Sequence, residues 1–427
     1  MFALTVSKLD SSYRSIYQVA AFGEGIHGDL HEFKITKDGT ALMSIYNVTT
    51  MDLTPMGRPV EGWIIDSIFQ EIDIESGELV FEWRASEHFD STDSYATNPF
   101  AGYRQGTPFD FFHINSVEKD STGNFLVSSR HTHTITTVDG KTGEIIWVLG
   151  GERNEFKDLS NGEAITFSWQ HDARWVSEEE GILTLFDNGE AGPLHIDAPY
   201  SRGMMLKLDV ANRTVELLHE YISLEQTRTP SQGSVQVLPE TNNVFVGWGH
   251  SAAFSEFKTD GTLVCESHFG ASWYYWWGRI VSYRAMKTTQ WVGTPEHSPA
   301  AKIHGFSLFV SWNGATEVAA WELQGATEER DEFHVVDVMN KMGFESSFVL
   351  SAGTFYTHYR VAALDREGRV LHHSNVTQKE PGRTMMDFLI PSVLLGAVVF
   401  AMRILYRVNK GRLGMNVDWT KYKYSPL

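Results

Sequence analysis

Phe112-His113-Ile114-Asn115-Ser116-Val117, then the turn residues from Lys119 to Asn124, then the return arm Ser128-Ser129-Arg130 read as one β-hairpin with polar chemistry set into strand-like sequence. A hairpin closed at that turn puts His113 and Arg130 close together as near cross-strand partners. An imidazole beside a guanidinium is an anion site. Similar hairpins begin at His31, with a turn at Lys37-Asp38-Gly39, at His171, with a turn from Ser177 to Gly181, and at Ser234, with a turn from Pro239 to Asn243. A second strand pair around an acidic-glycine turn follows each, clearest from Asp73 to Trp83 and from Asp139 to Trp147, and again near Asp209 and Asp260. Four-stranded units repeating at roughly 40 to 80 residues predict blades of a β-propeller, a fold that limits open strand edges by radial repetition. Four blades are visible, and Tyr13 to Phe22 reads as the last strand of an earlier one.

Past Trp273-Tyr274-Tyr275-Trp276-Trp277 the pattern changes. Phe306 to Leu323, Phe344 to Leu350 and Phe355 to His372 alternate as strands, and the Asp365-Arg366-Glu367-Gly368 turn is hairpin grammar typical of a small sandwich. The predicted fold class is therefore all-β, with a propeller over residues 1–290, a β-sandwich-like module over 291–380, one transmembrane helix over 386–406 and a cytosolic tail over 407–427. The helix rests on the apolar run from Phe388 to Tyr406, broken only by Ser392 and Arg403. Arg403, Arg407, Lys410 and Arg412 follow it, which puts the tail in the cytosol and the body on the lumenal or extracellular side of a single-pass protein of the secretory pathway or cell surface. The glycosylation sequons at Asn47, Asn212 and Asn375 agree with that side. No secretory signal precedes the body, because Asp10 to Arg14 is polar where an apolar stretch should continue, so a chain lacking its natural beginning is expected.

The chain has 427 residues, of which 42% are apolar, enough for two or three domains with a large core. Its 54 acidic against 35 basic residues give a charge of −19, which disfavours nucleic acid as a partner because phosphates would be repelled. Cys265 is the single cysteine, so the fold has neither an intramolecular disulfide nor a cysteine-rich zinc site.

His31, His113 and His171 open the first strands of three units, and innermost strands of a propeller line one channel, so three imidazoles should converge with Arg130. Asn115, Ser116, Gln170, Asp172 and Arg174 stand close by as candidate substrate-binding groups. Such a donor-rich pocket suits a sulfate or phosphate ester. The competing structural reading has these histidines bonded to neighbouring blades and Arg130 paired with Asp172. Three His and Asp172 also raise a metal, but no tight ligand spacing supports one, and none is expected. His131 and His133 fall near a turn and are expected to be exposed. Trp83, Trp147, Trp169, Trp175, Trp248 and the run from Trp273 to Trp277 read mostly as core, with an aromatic substrate wall as the second option. Asp139-Gly140-Lys141-Thr142-Gly143 with Trp147 resembles the docking repeat of quinoprotein dehydrogenases, but good copies are too few, so no cofactor is expected.

His31-Glu32-Phe33, His113-Ile114-Asn115-Ser116-Val117, Ser128-Ser129-Arg130, Trp147-Val148-Leu149-Gly150-Gly151 and Gln170-His171-Asp172, in this order over residues 20–290, resemble the arylsulfotransferase (ASST) family, especially its fungal-type branch. The resemblance implies a propeller of six blades, incomplete here, and transfer of a sulfuryl group from an aryl sulfate to a phenol without a nucleotide sulfate donor. It also implies a sulfohistidine at His171, with His113, Arg130 and His31 gripping sulfate. His31 or His113 is then expected to protonate the departing phenolate, whose aqueous pKa is about 10. The small-molecule partners would be an aryl sulfate and a phenol. A membrane-anchored propeller that only binds a small anionic or aromatic ligand is the alternative, because a fold does not fix a function.

Overall fold

The computed structural model describes residues 6–271, 280–351, 355–379, 398 and 400–403. The chain divides into two compact units, Met1–Trp291 and Val292–Leu427.

The first unit opens with a hairpin of β1 (Val6–Leu9) and β2 (Ser15–Val19). The polar run expected to interrupt a leader is its turn, where the Asp10 carboxylate accepts the backbone N–H groups of Ser12 and Arg14. The segment predicted as the last strand of an earlier blade, Tyr13 to Phe22, carries β2, which pairs with β1. Four antiparallel sheets follow in chain order. They are β3 (Gly28–Ile35), β4 (Thr40–Met51), β5 (Gly62–Asp73) and β6 (Leu79–Arg84), with the short β7 (Phe109–Asp110) parallel to β5; then β8 (Ile114–Lys119), β9 (Phe125–Ser129), β10 (Thr134–Val138) and β11 (Ile145–Leu149). Next, β12 (Lys157–Asp158) lies parallel on the outermost strand of β13 (His171–Ser177), β14 (Ile182–Asp187), β15 (Arg202–Asp209) and β16 (Thr214–Tyr221). The fourth sheet is β17 (Ser234–Val237), β18 (Val244–Gly247), β19 (Ala253–Phe257) and β20 (Leu263–His268).

The two clearest outer turns are copies of one device. Asp73 accepts N–H bonds from Glu75 and Ser76, and Asp139 accepts them from Lys141 and Thr142. Gly77 and Gly143 then take the left-handed conformation, with φ of 72° and 78°, that glycine adopts without steric cost. Apolar side chains collect between successive sheets. Phe69, Trp83, Phe112 and Val127 bridge the first and second; Leu126, Trp147, Leu183 and Leu206 the second and third; Phe186, Tyr221, Val246 and Trp248 the third and fourth. Trp83, Trp147 and Trp248 are core residues, and each buried aromatic adds roughly 1.5–3 kcal/mol of transfer free energy. The first strands β3, β8, β13 and β17 lie side by side in that order.

The second unit contains β21 (Ala300–His304), β22 (Ser307–Ser311), β23 (Ala320–Ala326), β24 (His334–Asn340), β25 (Ser346–Val349), β26 (His358–Leu364), β27 (Val370–His373) and β28 (Thr377–Gln378). One sheet runs β21-β22-β25 and the other β24-β23-β26-β27, with β28 on β26. Leu308, Val310 and Phe348 from one sheet share a core with Trp321, Leu323, Tyr359 and Val361 from the other. The predicted span over 386–406 lies outside the described residues except for Val398 and 400–403, and the tail over 407–427 lies outside them entirely. Among the described residues no helix is long and apolar enough to cross a membrane.

Candidate active site

The site grows from the starts of the first strands. His31 lies within β3, His113 immediately precedes β8, His171 opens β13, and Arg130 and His131 leave the end of β9. Ile114 pairs with Ser129 across the hairpin, and the Arg130 backbone N–H donates to the His113 carbonyl at 3.0 Å, so His113 and Arg130 meet as the hairpin demands. The His31 and His113 rings are 4.8 Å apart and the His113 and His131 rings 4.5 Å apart. Tyr46 stacks on His31 at 4.9 Å, and Tyr283 faces both His31 at 5.7 Å and His171 at 6.4 Å. His113 has a φ of 60°, a left-handed conformation that costs a residue with a Cβ and turns the backbone sharply into β8.

Each imidazole is oriented by an acceptor. Asp29 bonds His31 Nδ1, Asp110 Oδ2 lies 2.5 Å from His113 Nδ1, and Asn188 Oδ1 lies 2.7 Å from His171 Nδ1. The Asn188 amide group donates to the carbonyls of Thr229 and Gln232, which fixes its oxygen toward His171 and places the His171 proton on Nδ1. Its Nε2 lone pair accepts the Gln232 N–H at 3.2 Å, and the residue is only 3% exposed. Burial, with the Arg130 charge behind it, pushes the His171 pKa well below that of a free imidazole. His113 is pushed the same way by burial, then by His31 and Arg130. Both are neutral. Burial would raise Asp29, but the His31 hydrogen bond and charge hold its carboxyl below the ordinary range. Asp110 is raised by burial against the pull of His131, His31 and Arg130.

Arg130 is committed on two sides, to His131 Nε2 at 2.8 Å and to the Pro230 carbonyl at 3.0 Å. Its Nε and the Tyr283 hydroxyl are buried without a hydrogen-bond partner among the described residues. Leaving such donors dry and unpaired costs roughly 1–3 kcal/mol each, which an incoming oxyanion would offset. Sequence reasoning missed Tyr46, Asp110, Asn188 and Tyr283. Asp110 was within reach as a carboxylate three residues before His113; Tyr283 is too distant in sequence to leave a local signal.

The side chains of Asn115, Ser116, Gln170, Asp172 and Arg174 are bonded between strands. Asn115 Nδ2 donates to the Gln170 carbonyl at 2.7 Å, Ser116 Oγ accepts the Ala173 N–H, and Gln170 Nε2 donates to the carbonyls of Ser129 and Thr134. Asp172 pairs with Arg174 and with Arg284, and Arg174 reaches Glu32 at 2.6 Å. These side chains tie first strands together; a left-handed Asp172, with φ of 57°, and a register shift between His171 and Arg174 turn the chain there. Where the competing structural reading paired Asp172 with Arg130, Asp172 pairs with Arg174 and Arg284.

His131 and His133 are buried, 9% and 8% exposed, and not at the surface. The chain after β9 folds inward because Arg130 and His131 bond back to Pro230 and Asp110. Donor atoms of Asp110, His113 and His131 gather within 4.8 Å of one another, a set that spacing along the chain did not reveal and that a divalent ion could use. Both His131 nitrogens are already engaged, Nδ1 by the Asp110 carbonyl and Nε2 by Arg130, so an ion bound through His131 would have to displace one of these bonds.

Within one β-rich unit, imidazoles gather around one arginine, and burial depresses the pKa of two of them, His113 and His171. The family model described as Arylsulfotransferase (ASST) matches residues 4–270, and the chain belongs to that family. No curated protein matches it. Among solved structures it is similar to a protein of unknown function from Bacteroides caccae, at 10% identity over 72% of this chain and 78% of that one, with a TM-score of 0.33. It is also similar to a luciferin-regenerating enzyme, at 10% identity over 72% and 87% of the two chains, with a TM-score of 0.32.

Proposed function

We propose that the chain transfers a sulfuryl group from an aryl sulfate ester to a phenolic acceptor, with His171 carrying the group between two half-reactions. The observation that carries this reading is the convergence of His31, His113 and His171 near Arg130 in a chain of the arylsulfotransferase family. Side-by-side first strands of four successive sheets support a propeller around that centre. The order of the quoted motifs favours the fungal-type branch.

In the first half-reaction the His171 Nε2 lone pair forms the N–S bond as the S–O(aryl) bond breaks, and the phenolate leaves with that electron pair and takes a proton from water. Asn188 Oδ1, on the Nδ1 proton, stabilises the positive ring that results. Arg130 and the Tyr283 hydroxyl face charge on the sulfuryl oxygens. In the second half-reaction His113 removes the acceptor's phenolic proton, the phenolate oxygen forms the new S–O bond, the N–S pair returns to His171, and His113 releases its proton to solvent. Burial keeps the His113 ring unprotonated and open to a proton, whereas the acid role expected of His31 or His113 needs a protonated ring.

One observation favours a binding module instead: His171 Nε2 already accepts the Gln232 N–H and is almost fully covered, so attack requires that bond to open. Intact mass after exposure to 4-nitrophenyl sulfate separates the readings. Transfer predicts an added sulfuryl group on His171 with released 4-nitrophenol, both lost in His171→Ala; a folded sample that binds the ester without adduct or release supports the module. We also place the body on the lumenal or extracellular side, anchored through residues 386–406. The exposure of Asn212 and Asn375 suits glycans there, whereas Asn47 is half-buried in β4. Resistance to carbonate extraction, with a mobility shift on deglycosylation, checks both parts.

A further inference from the structure

Next to the anion centre is a cleft of about 330 Å³ whose walls include Tyr95, His133, Phe167, Ser168 and Trp169. Its aromatic rings are held in fixed relation. Tyr95 and His133 stack at 4.2 Å, the Trp169 ring meets His133 edge-on at 4.5 Å, and the Trp169 indole N–H donates to Asp197 at 2.6 Å. The Arg130 guanidinium lies 5.3 Å from the same Trp169 ring, so one indole serves both the cleft and the anion centre. His133 and Trp169 have φ of 54° and 56°. A bulky residue in the left-handed region is a costly outlier, and strain of this kind collects where a site must be held open.

Two polar atoms of residues in the lining, His133 Nε2 and Ser168 Oγ, are buried without a hydrogen-bond partner among the described residues. Their residues are 8% and 4% exposed. Packing does not require them to be polar, and the anion chemistry does not use them. Burial holds His133 neutral, so it serves a hydrogen-bonding group better than a charged one, and the nearby Asp197 carboxylate disfavours a second anion.

We propose that this cleft is the aryl subsite: it receives the ring of a phenol or aryl sulfate that carries a second, uncharged hydrogen-bonding substituent, which His133 Nε2 and Ser168 Oγ read. The proposal rests on the anion-centre reading above. The flat ring lies among Tyr95, Phe167 and Trp169, whose faces favour stacked or edge-on partners, while its polar substituent satisfies the two orphan atoms.

Titration calorimetry on the full chain tests it, with 4-nitrophenol, 4-ethylphenol and inorganic sulfate as probes and melting curves to verify folding. The unsubstituted protein should bind 4-nitrophenol about five- to tenfold more tightly than 4-ethylphenol, and Ser168→Ala should remove most of that preference. Ile165→Trp, which fills the cleft from a half-buried wall, should weaken both phenols by roughly tenfold or more. Neither variant should move sulfate affinity by more than about twofold, whereas Arg130→Ala should abolish sulfate binding. Phenol affinities unchanged in both cleft variants overturn the subsite and leave the anion centre standing. Sulfate binding that survives Arg130→Ala removes the anion centre and the subsite with it. If Ile165→Trp does not fold, the preference lost or kept in Ser168→Ala decides alone.

Discussion

His131 follows Arg130 directly and His133 comes two positions later, and burial depresses both imidazoles, to about 3 and about 4. The consequence for stability has a definite sign. In the unfolded chain each ring takes up a proton near pH 6.5, while in the folded protein it stays neutral until far lower pH, so below about 6.5 the unfolded state binds more protons. Folding stability present above that value is therefore lost as pH falls toward 4 to 3, at up to about 1.4 kcal/mol per pH unit for each such histidine. Urea unfolding between pH 7.5 and 5 should show this decline, and His133→Gln should flatten it by about one histidine's share. A profile equally steep in the variant would mean that His133 titrates normally. Asp110, raised by burial, works in the opposite sense, which makes the comparison at His133, away from that carboxylate, the cleaner one.

At the scale of strands, the ends of β3, β8, β13 and β17 are held by a charged clamp under the imidazoles. Glu32 accepts from Arg174 at 2.6 Å, from Arg284 at 3.1 Å and from the Val117 N–H at 3.1 Å, while Asp172 accepts the Val235 N–H at 3.3 Å. Burial would raise Glu32, but the two arginines pull its carboxyl down to about 2. Glu32→Ala leaves two mostly buried guanidinium groups competing for Asp172 and should cost about 3–5 kcal/mol in chemical denaturation, with a smaller loss for Glu32→Gln, which keeps an acceptor. A loss under about 1 kcal/mol would show that water or other groups replace the carboxylate. This clamp also explains which parts of the site could be read from the chain. Period-two strands with polar residues at matched starts made His31, His113 and His171 visible, and the hairpin geometry made Arg130 visible. The same pattern could not say that Asp172 and Arg174 face the clamp while His171 faces the pocket. A left-handed Asp172, with φ of 57°, breaks the simple alternation, and the register of β13 shifts between His171 and Arg174. Arg284, which closes the clamp from 252 positions beyond Glu32, leaves no local trace.

For the molecule as a whole, the two compact units have separate apolar cores, with Trp321, Tyr359 and Phe348 at the heart of the second and none of its residues shared with the sheets that carry the histidines. Separate cores are separate sources of cooperativity, and a ligand stabilises only the unit whose folded form binds it. Scanning calorimetry of the chain should therefore resolve two transitions. Sulfate at about a hundred times its dissociation constant should add about 2.7 kcal/mol to the unit containing Arg130, raising that transition and leaving the other in place. The raised transition identifies itself by disappearing as a sulfate response in Arg130→Ala, since unspecific salting-out by sulfate would lift both transitions in both proteins. A single transition that shifts as one would instead mean that the units unfold together, and the second unit would then have to be counted as part of the stability of the anion centre.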